Sequence, residues 1–214
     1  MTKQLEFSDS FMSSTNELFT NNLDYKIYTA KPATGIIYLI NNFISGHCRM
    51  RGKDEGRYPF HYLEMIENLF GRQENTIEVC SRSVQDVFTV DIDPNCKPTR
   101  VTDGQTLAGL PNEIFDRWRC DPPYNERTAR EMYHCFLPNT AELLQAGSRV
   151  CKKGSLLFLL LGPQNYQYCP PNLVRIGWIA ITIVPNNELR ALHIYLKVSD
   201  SNLQAGEYQS QLSA

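Results

Sequence analysis

The sequence has no cysteines spaced C-x-x-C, no cysteine–histidine run with zinc spacing, and no leader with an apolar core. Each lack excludes something. The seven cysteines, Cys48, Cys80, Cys96, Cys120, Cys135, Cys151 and Cys169, are scattered and odd in number. That pattern fits free thiols in a reducing compartment better than a disulfide framework. His47, His61, His134 and His193 stand alone, and a lone histidine is more often structural than a ligand, so no metal is expected. The start, MTKQLEFSDSFMSSTNELF, lacks a signal-peptide core, and the most apolar run, Leu156 to Leu161, is far too short to span a bilayer. A soluble, cytoplasmic protein without a membrane partner is expected. Charge is nearly balanced at -2, which argues against binding nucleic acid by bulk charge and leaves a local basic patch open.

What is present is enough for one well-filled core, since 214 residues fit about one domain. Residues up to Ala30 are polar and weakly patterned, as in an arm or a peripheral helix. GIIYLINNF, from Gly35 to Phe43, suits a short strand or a helix. Arg49, Arg51, Lys53 and Arg57 lie in a glycine-broken stretch with Asp54 and Glu55. A solvated loop explains that stretch better than a phosphate contact does. From Tyr58 to Phe70 the spacing predicts a helix with Leu63, Ile66 and Phe70 on one face and Gly71 as its stop. The organisation expected is an arm and basic loop over 1–57, a folded domain over 58–198 and a flexible tail over 199–214.

Within that domain the period changes. TIEVC (76–80), FTVD (88–91) and SLLFLLL (155–161) are short apolar runs suited to buried parallel strands. Asn125 to Val150 has helical spacing that Pro138 divides in two. Trp178 to Val184 and Leu189 to Val198 flank Pro185-Asn186-Asn187-Glu188, and so short a connection joins antiparallel neighbours. The fold class is α/β, a mostly parallel sheet ending in a reversed strand.

The strongest chemical signal is Asp121-Pro122-Pro123-Tyr124-Asn125, after Phe115 to Cys120 and before a helix. In open α/β sheets ligands bind beyond the carboxyl ends of strands. This string resembles the DPPY hallmark of the S-adenosylmethionine-dependent amino-methyltransferases, which methylate exocyclic nitrogens of nucleobases. The family's order is similar too: a leading helix, Glu78-Val79-Cys80-Ser81-Arg82-Ser83 where the cofactor loop should stand, Asp91 ending the next strand, Asp103 in VTDGQTL, then DPPYN and CKKGSLLFLLL. The likeness covers roughly Tyr58 to Val198 and is specific at DPPY.

The resemblance implies a class I methyltransferase-like three-layer sandwich that binds S-adenosylmethionine. It assigns catalysis to Asp121, Pro122, Pro123 and Tyr124, and cofactor binding to Glu78, Cys80, Ser81, Asp91, Ile92, Asp103, Gly104 and Asp121. An exocyclic aromatic amine is a poor nucleophile because its lone pair is delocalised into the ring. Hydrogen bonds from its N–H groups to the Asp121 carboxylate and the Pro122 carbonyl would localise that pair, and the prolines would fix the carbonyl in place. The Tyr124 ring would stack on the base. Asp91 suits ribose hydroxyls, and Asp103 suits an adenine amino group. The substrate implied is nucleic acid, adenine N6 in DNA first. The alternatives are an RNA methyltransferase at guanine N2 or adenine N6, and a catalytically silent subunit that binds nucleic acid. No long target-recognition region is evident, so a protein partner that supplies recognition is an expectation as well.

Three features depart from the family pattern. Ser81-Arg82-Ser83 stands where a G-x-G loop would let backbone approach the ligand. Only Ser81 to Val87 separate the first two strands, so either the first crossover helix is reduced to a turn or those strands are joined unusually. Arg117 and Arg119 alternate through a central strand, where they need partners if buried or else face a groove or another chain.

Overall fold

The computed structural model describes residues 26–30, 37–44, 58, 62–82, 84–162, 169–183 and 188–200. The basic stretch from Arg49 to Arg57, Ser83, Tyr166, Tyr168 and the tail beyond Asp200 lie outside the described residues. In chain order the elements are β1 (Lys26–Ala30), β2 (Ile37–Ile44), α1 (Tyr62–Phe70), β3 (Thr76–Val79), β4 (Phe88–Asp91), β5 (Arg100–Val101), β6 (Phe115–Cys120), α2 (Glu126–Tyr133), α3 (Thr140–Val150), β7 (Cys151–Leu161), β8 (Leu173–Ile183) and β9 (Glu188–Lys197).

The strands form one sheet in the order β1-β2-β8-β9-β7-β6-β3-β4-β5. From β7 to β5 every pairing is parallel. β9 inserts antiparallel between β7 and β8, as the short connection predicted. At the other end β2 pairs with β8 and β1 with β2. The sheet thus extends into the segment read as an arm or peripheral helix, because Lys26–Ala30 is a strand.

Side chains alternate across the sheet, and each face has its own core. Ile77, Val79, Val90, Trp118, Leu157 and Leu159 pack with Leu143, Leu144 and Val150 of α3. A Cβ on Gly147 would come within 2.8 Å of the Trp118 ring, so only glycine lets α3 sit this close. On the opposite face α1 buries Tyr62, Met65, Ile66 and Leu69 against Phe158, Leu160, Ile179 and Ile194. That stripe has i, i+3, i+4, i+7 spacing. It is rotated from the expected one, since Leu63 and Phe70 flank it half-buried. Asn125 and Asn139 cap α2 and α3 by accepting from the Thr128 and Ala141 N–H groups, and the segment with Pro138 separates the two helices as expected.

The first two departures have structural outcomes. β3 and β4 do pair in parallel, and the short link between Val79 and Phe88 carries no helix among its described residues. The link from β4 to β5 holds only a single 3-10 turn, Pro94–Cys96. Neither link reaches the dozen residues that a crossover helix needs. One face of β3, β4 and β6 is therefore free of crossover helices, and it is polar: Thr76, Glu78, Thr89, Arg117 and Arg119 are all buried there.

Both arginines have partners, which overturns the groove reading. Arg117 donates to the Gly71 and Phe70 carbonyls at the end of α1, at 2.7 and 2.9 Å. Arg119 forms an ion pair with Glu78 at 2.6 Å. Among the described residues no helix is long and apolar enough to cross a membrane.

Candidate active site

The register of the sheet decides where the site lies. Val79 pairs with Cys120 on one side and with Val90 on the other, so the carboxyl ends of β3, β4 and β6 line up. The chain winds outward from β3 through β4 to β5, then returns to β6 on the other flank. This is the topological switch point, where open α/β sheets bind ligands. A cavity of about 160 Å³ that opens to solvent sits there.

Six of the eight residues assigned to cofactor binding line it: Cys80, Asp91, Ile92, Asp103, Gly104 and Asp121. Pro123 joins them from the DPPY string. Asp91 is held firmly, its two oxygens accepting from the Arg82 N–H at 3.1 Å and the Asp93 N–H at 3.0 Å. Asp103 accepts from the Gln105 N–H at 2.9 Å. A Cβ on Gly104 would lie 2.5 Å from Val79 Cγ1, so glycine is what lets this loop rest on the end of β3.

Glu78 and Ser81 are not brought to the cavity. Glu78 points to the opposite face, where Arg119 pairs with it and the Tyr58 hydroxyl donates to it. Burial pushes its carboxyl up, and the Arg119 guanidinium opposes that shift. Ser81 is buried, its N–H donating to the Val90 carbonyl at 3.2 Å.

The DPPY loop is tightly built. The Tyr124 hydroxyl donates to Asp121 Oδ1, and the Arg190 guanidinium of β9 donates to that hydroxyl while lying 4.5 Å over the ring. One face of the ring assigned to base stacking is thus covered by a cation. Burial and the Asp121 carboxylate push the Tyr124 phenol up, so it stays protonated as a donor. Pro122 is buried and Pro123 half-buried.

The cofactor loop is built differently. Cys80 and Arg82 have positive φ, 58° and 43°. They are two residues apart, the spacing of a G-x-G pair, and Arg82 is the one of them that lies within Ser81-Arg82-Ser83. Arg82 reaches across to α2, donating to the Met132 carbonyl at 3.2 Å with its guanidinium 4.4 Å over the Tyr133 ring.

The sequence matches no family model and no curated protein. Solved structures do resemble the chain. TrmN from Thermus thermophilus is similar with a TM-score of 0.48 and 12% identity, over 63% of this chain and 48% of that one. This chain therefore spans about half the length of TrmN. A point mutant of the 16S rRNA (adenine(1408)-N(1))-methyltransferase from Catenulisporales acidiphilia gives 0.40 and 9%, over 58% and 85%. The antibiotic-resistance methyltransferase Kmr gives 0.36 and 14%, over 64% and 91%. Independently of these neighbours, the fold is α/β with a mostly parallel sheet and a reversed strand, as expected. Its seven strands β5-β4-β3-β6-β7-β9-β8 hold the reversed β9 inside the sheet, and β9 is what carries Arg190 to the DPPY tyrosine.

Sequence reasoning missed Arg82, Asp93, Tyr133, Cys135 and Phe136, which also line this cavity. The signal for Tyr133 to Phe136 was their place at the end of the helix that DPPYN opens. Arg190 had no local signal, since only the pairing of β9 brings it near Tyr124.

Proposed function

We propose that this chain is an S-adenosylmethionine-dependent methyltransferase acting on an exocyclic amino nitrogen of a nucleobase, with adenine N6 in DNA as the first candidate. The observation that carries the reading is the convergence of Asp91 and Asp121 on one cavity at the switch point of the sheet. The residues fit the cofactor. Among the described lining residues, Asp91, Asp93, Asp103 and Asp121 face a single guanidinium, Arg82, so the wall is net negative and suits a cationic sulfonium. Asp91 would accept from the ribose hydroxyls, Asp103 from the adenine amine, and Ile92 would cover the ring. When bound, S-adenosylmethionine supplies the electrophilic methyl group.

The chain's own residues do the rest. A carboxylate accepts several hydrogen bonds, so Asp121 takes an amine N–H beside the Tyr124 hydroxyl. The Pro122 carbonyl takes the second N–H and helps aim the nitrogen lone pair. As the nitrogen becomes tetrahedral it gains positive charge, and Asp121 stabilises that charge more in the transition state than in the ground state. Tyr124, under Arg190, acts first by positioning Asp121, and a base would use only its uncovered face.

A second reading has one specific observation behind it. Cys80 and Arg82 replace the glycines of the cofactor loop, which favours a catalytically silent subunit that binds nucleic acid or a catalytic partner. Transfer of a tritiated methyl group to DNA, RNA and free nucleotides separates the two. Asp121→Ala should cut the single-turnover rate a hundredfold or more, about 2.7 kcal/mol, with cofactor affinity nearly unchanged. A folded Asp121→Ala protein that methylates at the wild-type rate would sink the catalytic assignment.

A further inference from the structure

Two cysteines meet at the floor of the cavity, Cys80 lining it and Cys120 buried behind. Cys80 follows β3 and Cys120 ends β6, and because Val79 pairs with Cys120, Cys80 stands one residue beyond it on the neighbouring strand. Their sulfurs are 3.9 Å apart, with the Cys120 thiol donating to the Cys80 sulfur. Cys80 is half-buried and lines the cavity, whereas Cys120 is 1% exposed. A reagent entering the cavity therefore meets Cys80 first and finds Cys120 next to it. Neighbouring strands lie about 4.8 Å apart, and a disulfide spans Cα separations of about 4.4–6.8 Å, so adjacent strand ends provide a compatible frame. Joining the sulfurs would draw them together by about 2 Å. That movement acts on both walls at once, since Cys80 opens the cofactor loop and Cys120 immediately precedes Asp121.

We propose that Cys80 and Cys120 form a dithiol oxidation site that closes the cavity when a peroxide-class oxidant is present. The Cys80 sulfur attacks one peroxide oxygen and the O–O bond breaks, giving a sulfenic acid and, with one proton, water. The Cys120 sulfur then attacks the Cys80 sulfur. The S–S bond forms, the S–O bond breaks, and the departing hydroxide takes the Cys120 proton to become the second water. Two thiols lose two electrons, and one peroxide gains them. The effect on ligand binding rests on the cofactor reading above. The bond itself does not.

The test uses the full chain, reduced and then treated with hydrogen peroxide. Remaining thiols are alkylated under denaturing conditions, and the tryptic digest is read by mass spectrometry. Trypsin places Cys80 in Gln73–Arg82, Cys120 in Cys120–Arg127 and Cys135 in Glu131–Arg149. The expected product is a dithiothreitol-sensitive adduct of the first two peptides, two hydrogens lighter than their sum. Cys120→Ser should give no adduct and a dimedone-trapped sulfenic acid at Cys80. An adduct of Cys80 with the Cys135 peptide, or none while other cysteines oxidise, overturns the site. Oxidation should also weaken S-adenosylhomocysteine binding by about tenfold or more, reversibly, and should leave the double variant Cys80→Ser, Cys120→Ser unaffected. An adduct with unchanged affinity overturns the closing. If the reduced protein binds no S-adenosylhomocysteine, the cofactor reading fails, and the peptides alone decide the dithiol site.

Discussion

Two strand ends that lie side by side are finished in opposite ways. Beyond Cys120 the chain runs through two prolines, a tyrosine whose hydroxyl holds Asp121, and an asparagine cap that opens α2. From Cys80 the other chain segment passes through two left-handed residues, Cys80 and Arg82, neither of them glycine, and among the described residues no helix follows before β4. The left-handed region costs a side-chain-bearing residue roughly 1–2 kcal/mol, so the second end must be held by its surroundings. Asp91 does this through the Arg82 N–H, and Val90 through the Ser81 N–H. The end after Cys120, which the proposed function makes the acceptor end, is thus rigid, since proline and local hydrogen bonds leave little entropy to lose. The cofactor end spends part of the fold's stability on its own conformation. Under the proposed function, any weakness in catalysis would lie in cofactor affinity more than in the aim of the amine.

The largest expected effect comes from breaking what joins the two ends. Glu78 on β3 and Arg119 on β6 are paired in register and buried on the polar face. Glu78→Ala leaves a buried guanidinium without its carboxylate, which should destabilise by about 3–5 kcal/mol. The denaturant midpoint should fall steeply. The apolar replacement of both partners, Glu78→Met with Arg119→Met, should recover most of the loss. If the single variant is as stable as the wild type, the pair does not tie the ends together.

How far these ends could be read beforehand follows from the range of the forces involved. β4 was legible to the residue, because a short apolar run bounded by turn residues has few alternatives, and the end of β6 was marked by the two prolines that follow. The helix pair around Pro138 and the reversed β9 were legible from local chemistry as well. Arg117 and Arg119 were not, because the reason for charge on a central strand is non-local. Links too short to carry helices leave that face without crossover helices, and Glu78 and the end of α1 supply the partners. Glu78 was assigned to the cavity on its place in a motif, yet alternation along β3 turns it to the far face while Cys80, two residues on, lies beyond the strand in a left-handed conformation. The clamp of Arg190 on Tyr124 depends on the pairing of β9 with β7, across 66 residues of sequence.

That clamp gives a middle-sized prediction for the acceptor end. Arg190→Met removes a cation–π contact and a charged hydrogen bond, together worth about 1–2 kcal/mol. If the clamp serves Asp121, the single-turnover rate should fall about tenfold, which is about 1.4 kcal/mol. Cofactor affinity should hold, and Arg190→Lys should restore part of the rate. A variant that loses cofactor affinity instead would show that the two ends are not separable, and the contrast between them would fail.

The smallest effect sharpens the cofactor end. Cys80→Gly relieves a left-handed residue at φ 58°, a gain of roughly 1–2 kcal/mol. Glycine returns about 0.5–1 kcal/mol of that through the greater freedom of the unfolded chain. The half-buried thiol also gives up its packing against the core. The net should be a stabilisation below about 1 kcal/mol, seen as a small rise in melting temperature. Arg82→Gly shares the backbone gain at φ 43° but loses the guanidinium's contacts with Tyr133 and the Met132 carbonyl. Its stability should therefore stay near the wild type. Its affinity for S-adenosylmethionine should rise by about threefold to tenfold, because backbone can then approach the ligand where a side chain now stands. A fall in affinity would mean that the Arg82 guanidinium contacts the ligand, so that this loop is adapted to its charge and is not a strained stand-in for glycine.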